Sequence, residues 1–259
     1  MEQRPAYRTL YCDLDITLGT KGIHMLMQHK VIVATAVEIT YAVFTRTWLR
    51  QHLDGADLEL AVSAFRVATI VVYWGLFQDL VRSRAKASNT LRHPLLVVGI
   101  ATALAIPFLF RGWSPGGGLG TAIVFALTSI VVGLREEILY RCVLLNLMQP
   151  RIGVIGSLLC STVIFTVYHY GAQPFTVLWI TECTCMSLLL GLIYIRSGSL
   201  LTVAAIHALY DGIWVLGPYL STPIPDIWRP VFQCSALALV VAWWRFGAHA
   251  PNSTVIRGT

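Results

Sequence analysis

The chain has 259 residues, of which 56% are hydrophobic and 12% charged, against about 25% charged in an ordinary soluble domain. So little polar sequence cannot cover a soluble surface. With a mean hydropathy of +0.67, this excludes a disordered chain, argues against a soluble enzyme and makes the bilayer the expected solvent. The net charge of +6 falls between apolar runs rather than on one face, which fits the positive-inside bias of a membrane protein and not nucleic-acid binding.

In chain order, residues 1–30 are polar and mixed. They carry no signal-peptide pattern, because the first long apolar run starts late and contains Glu38. A membrane helix needs roughly 20 mostly apolar residues. Eight such runs follow, at about 31–49, 60–81, 94–110, 119–141, 154–172, 174–195, 199–217 and 228–246. The stretch 111–118 (RGWSPGGG) has the composition of a flexible turn, and 248–259 form a polar tail. Twelve Lys and Arg fall on one side of this scheme, and four (Arg46, Arg50, Arg111, Arg229) on the other. That asymmetry predicts an even number of spans with both termini cytoplasmic. The expected fold is therefore all-α, a polytopic integral membrane helical bundle of about eight transmembrane helices. It forms a single domain over 31–247, since open sheets cannot span lipid and no barrel alternation is present. The six cysteines suggest neither a disulfide framework nor a structural zinc site, and Cys183-Thr184-Cys185 reads as helix packing.

Ionisable groups inside apolar runs each need a reason, because insertion costs about 2.5–3.5 kcal/mol apiece. They are Glu38, Arg66, Asp79, Arg135-Glu136-Glu137, Arg141, His169, Glu182, His207 and Asp211. Glu137 and Arg141 have the spacing and order of a helical ion pair. Glu136 points about 100° away around the helix and is left for other work, such as general acid or base chemistry. Phe165 and His169 share a helix face. His207 and Asp211 lie one turn apart, so the carboxylate can hold a ring nitrogen or share a ligand. Glu38, Arg66 and Glu182 read most simply as buried ion pairs or snorkelling ends. Two imidazoles and several carboxylates on three successive polar-bearing helices make a general-base and oxyanion kit, or a metal kit.

Three motifs in order, Glu136-Glu137-Ile-Leu-Tyr-Arg141, Phe165-Thr-Val-Tyr-His169 and His207-Ala-Leu-Tyr-Asp211, resemble those of the CAAX protease and bacteriocin-processing (CPBP) family of intramembrane endopeptidases. The segment Gly191–Leu200 is also similar, and the resemblance covers about 119–217. It implies an enzyme that cleaves a peptide or protein substrate, prenylated CAAX chains among the classes, within the lipid bilayer. It implies that Glu136 activates a water, His169 orients that water, His207 and Asp211 stabilise the oxyanion, and Glu137 and Arg141 hold the site in shape. No cofactor is expected. The metalloprotease alternative would place Zn2+ on Glu136, His169 and His207, although the HExxH spacing is missing. The alternatives without proteolysis are a scaffold or bacteriocin-immunity protein and a proton-coupled transporter. The membrane would be the plasma membrane in a prokaryote and the endoplasmic reticulum in a eukaryote.

Two difficulties stand out. An ionised Asp211 cannot donate to an oxyanion, so it is either protonated or orients His207. The simple span boundaries also put Glu136 and His169 near opposite faces. Cooperation then requires a break at Gly133, or an interfacial segment over Leu144–Gly156, with Pro150, that delays the next span.

Overall fold

The computed structural model describes residues 28–86, 119–170, 176–220 and 227–246. The expected span at 94–110, the turn at 111–118, the tail at 248–259 and residues 1–27 of the polar N-terminal segment lie outside the described residues. Seven helices, α1–α7, are present among those described, with no strand. Helix α1 covers residues 28–52: α-helix to 43, π-helix over Phe44–Leu49, then a last turn Arg50–His52. Helix α2 is Gly55–Lys86, kinked at Phe77. Helix α3 is Leu119–Glu137, continued by a π-helical stretch Ile138–Leu145. Then follow α4 (Asn146–Tyr168), α5 (Val177–Ser197), α6 (Leu200–Leu220) and α7 (Trp228–Phe246). Each falls on an expected apolar run, with ends shifted by a few residues. Helices α2 (over Gly55–Arg82) and α5 are long and apolar enough to cross a membrane by length and composition.

The distribution of side chains is inverted relative to a soluble bundle. Arg135, Glu137 and Arg141 are among the least exposed side chains in the structure. Ile155, Val163, Val167, Leu127 and Val71 stand outside. Charged groups inside and branched aliphatics outside are what hydrocarbon selects, since an unpaired charge facing lipid costs more than one paired within the bundle.

Helix α3 is the centre, packing against α2 on one side and most extensively against α6 on the other. Gly133, one of the two places the sequence offers for a break, does not break α3. It marks the α3–α6 crossing, where an added Cβ would lie 2.8 Å from both Ala204 O and Ala208 N. Only a residue without a side chain lets the two backbones approach this closely.

The depth difficulty resolves at the other proposed place. The chain does not turn at 141. It continues through the π-helical stretch and the first turns of α4, and reverses at Gly153, whose φ of 73° suits glycine. Gly153 lies 17 residues after Glu136 and 16 before His169. At equal rise per residue the two side chains return to the same level. The boundaries 119–141 and 154–172 are thus corrected: the outgoing helix is longer, and the returning one ends at Tyr168. The carbonyls in the wide π turn find side-chain donors. Ser161 Oγ donates to Tyr140 O (3.1 Å), and Asn146 Nδ2 to Arg141 O (3.0 Å) and Cys142 O (2.8 Å).

Candidate active site

Residues 135–137 are consecutive, and each faces a different neighbour. Arg135 turns toward α1 and α2. Its Nη2 lies 2.5 and 2.6 Å from the two Glu38 carboxylate oxygens, and its Nε donates to Thr69 Oγ1 (3.0 Å). The guanidinium stacks 4.1 Å over the Tyr41 ring, and Tyr73 and Tyr168 hydroxyls complete the cluster. Glu38 is thus a partly buried ion-pair partner, in line with the simpler sequence reading. Arg66 likewise pairs with Glu59.

Glu137 turns toward α6. Its Oε2 lies 3.2 Å from Arg141 Nε, which places the expected helical pair in a fully buried position. Its Oε1 lies 2.8 Å from His207 Nδ1. That second contact crosses 70 positions of sequence, and no local pattern announces it. Of the two His207 ring nitrogens open to Asp211 in the sequence reading, Nδ1 is taken by Glu137, and Asp211 Oδ2 stands 3.6 Å from the other, Nε2. Arg141 covers the Phe165 ring at 5.2 Å, and its Nη1 and Nη2 have no hydrogen-bond partner among the described residues.

Glu136 points between the two imidazoles. Its Oε2 lies 3.6 Å from His169 Nε2 and 3.9 Å from His207 Nε2. Both separations exceed a hydrogen bond, and this buried oxygen has no hydrogen-bond partner among the described residues. His169 is the C-terminal cap of α4, just beyond its last helical residue, and its Nδ1 lies 2.8 Å from Phe165 O. A carbonyl only accepts, so Nδ1 carries a proton, and Nε2 is the nitrogen that faces Glu136. The same logic puts a proton on His207 Nδ1, facing a carboxylate. A His207 that also donates from Nε2 is then the imidazolium.

All four expected catalytic residues, Glu136, His169, His207 and Asp211, line one cavity of about 480 Å³. Asp211 is the most open of them, with 30% of its side chain exposed. Motif reading did not single out Arg46, Trp179, Tyr210 or Gln233, which share the lining. Tyr210 donates to Glu182 Oε1 (2.6 Å) and accepts from Gln233 Nε2 (2.6 Å). Gln233 carries a sequence signal of its own, a polar residue in the apolar run 228–246, but it is not ionisable and so is not among the charged groups out of place there. No group of three or more His, Cys, Asp or Glu side chains among the described residues is arranged to hold a metal ion.

Residues 118–213 match a family model described as type II CAAX prenyl endopeptidase Rce1-like. The match spans less than half of the chain, falls on the segment that carries all three motifs, and bears out the CAAX-protease resemblance read from them. No curated protein and no solved structure matches the chain.

Proposed function

We propose that this chain is an intramembrane endopeptidase that hydrolyses a peptide bond with a water activated by Glu136. The observation that carries the reading is the Glu136 carboxylate: buried, unpartnered at Oε2, and facing two imidazole nitrogens at 3.6 and 3.9 Å. A water at hydrogen-bond distance, about 2.8 Å, from both atoms of such a pair subtends roughly 80–90° at its oxygen, an angle it can serve without strain. Glu136 takes the proton as the water oxygen attacks the scissile carbonyl carbon, with His169 Nε2 holding the water in line, and gives it to the leaving amine nitrogen as the intermediate collapses and the C–N bond breaks. His207 Nε2 faces the same point and donates to the oxyanion that forms. Such a donor is worth about 3–4 kcal/mol of barrier. Asp211, whose Oδ2 stands 3.6 Å from His207 Nε2, favours the charged form of that ring without occupying the donor that the oxyanion takes. Glu137, held by Arg141, keeps the His207 ring in the required orientation, the role a buried carboxylate plays behind a catalytic imidazole. The substrate is a peptide delivered through the bilayer, and the matched family supports prenylated CAAX chains as the class.

The test is cleavage of a fluorogenic prenylated CAAX peptide by the purified full chain in detergent. Cleavage by the parent and none by Glu136→Gln is expected. Normal turnover by that variant would overturn the assignment of the water-activating group.

A further inference from the structure

The loop of α4 that carries His169 is gripped from outside the family-matched segment. Arg46, on α1, donates from Nη1 to Tyr170 O (2.7 Å) and from Nη2 to Tyr168 O (2.5 Å). Its guanidinium carbon lies 5.0 Å over the Tyr168 ring. We propose that Arg46 is a positioning residue for His169: by clamping the main-chain carbonyls on both sides of that histidine, it sets where the ring meets Glu136.

The last carbonyls of a helix have no intrahelical donor. A planar guanidinium supplies two N–H groups in a fixed fork, which a lysine cannot do. The His169 ring is tied to its own helix through Phe165 O, so the position of Nε2 follows the main chain at 168–170. The same helix α1 holds the other half of the pair, since Glu38 grips Arg135, the residue before Glu136. Glu38 and Arg46 are eight residues apart, and Arg46 lies in the π-helical stretch Phe44–Leu49. A π turn takes more residues per revolution than an α turn. It therefore brings Arg46 round toward the face that carries Glu38. One strut thus fixes the separation of Glu136 and His169 from both ends.

The inference rests on His169 belonging to the water-activating pair, and its test can be told apart from a test of that reading. Full-length protein with labelled histidine is compared by NMR in detergent as parent, Arg46→Gln and Arg151→Gln, the His169 ring signals being assigned with His169→Gln. Arg151 is a control that donates to Leu147 O within its own helix. Displaced His169 signals in Arg46→Gln and unmoved ones in Arg151→Gln are expected. With the CAAX peptide, kcat of Arg46→Gln should fall about 10- to 100-fold with KM within about twofold. Unmoved His169 signals overturn the inference whatever the turnover does. Moved signals with unchanged kcat overturn it as well. A parent that cleaves nothing defeats the protease reading, while the His169 signals still decide the role of Arg46. Should Arg46→Gln not fold, Arg46→Lys keeps the charge without the fork and should show the same displacement and a smaller loss of kcat.

Discussion

Two buried polar clusters lie side by side on α3 and are built in opposite ways. Around Arg135, donors and acceptors meet: two contacts to Glu38 at 2.5 and 2.6 Å, one to Thr69 at 3.0 Å, and an aromatic face at 4.1 Å. Around Glu136, the next residue, the closest ionic partners stand at 3.6 and 3.9 Å and one carboxylate oxygen has no hydrogen bond among the described residues. Satisfied groups hold helices together, and unsatisfied ones store a binding demand that a water or a substrate can meet. Glu137, between its ion pair with Arg141 and its bond to His207, borders the second cluster and ties it to α6.

The contrast can be broken at either end. The largest effect is expected from Glu136→Gln, with turnover down about 10³-fold or more and an unchanged thermal midpoint, read by peptide cleavage and by unfolding in micelles. A large drop in midpoint would place Glu136 among the structural groups instead. Next comes Arg135→Met. It strands Glu38 in the bundle and should cost about 3 kcal/mol of stability, with much of it recovered in the double variant Glu38→Leu/Arg135→Met. Denaturant unfolding measures this, and equal losses in single and double variants would show that the ion pair is not the source. Gly133→Val forces α3 and α6 apart and should cost about 2 kcal/mol. It should also reduce kcat, because the Glu137–His207 bond spans that crossing. A variant that lost stability but kept kcat would uncouple the crossing from the site. The smallest effect belongs to thorough chelation, after which peptide cleavage should persist unchanged. Loss of activity restored by Zn2+ would move the chemistry of Glu136, His169 and His207 to a metal.

Much of the site was legible because its residues are chemically out of place. Carboxylates and imidazoles within apolar runs are costly enough that each must be explained, and the spacing of Glu137 to Arg141 and of His207 to Asp211 is helical arithmetic. The depth of the site was not legible from run boundaries alone. Apolar composition shows where lipid can be, whereas the turn at Gly153 depends on a left-handed backbone that a hydropathy window does not register. Gly133 illustrates the same limit, since a glycine in a helix reads equally as a break or as a contact, and only the nearness of Ala204 and Ala208 decides between them.

The amino-acid sequence by itself determined that the chain is helical and suited to lipid, which helices carry the out-of-place carboxylates and imidazoles, and which carboxylate is paired within its own turn. Those properties follow from composition and short-range periodicity. Tertiary structure alone decided that Glu137 rather than Asp211 holds His207 at Nδ1, that Arg46 reaches the carbonyls beside His169, and that Glu136 is left facing two imidazoles. Each of these depends on contacts between helices far apart in sequence, whose relative depth and rotation are set by close backbone packing and by where the chain reverses, quantities to which no local pattern is bound.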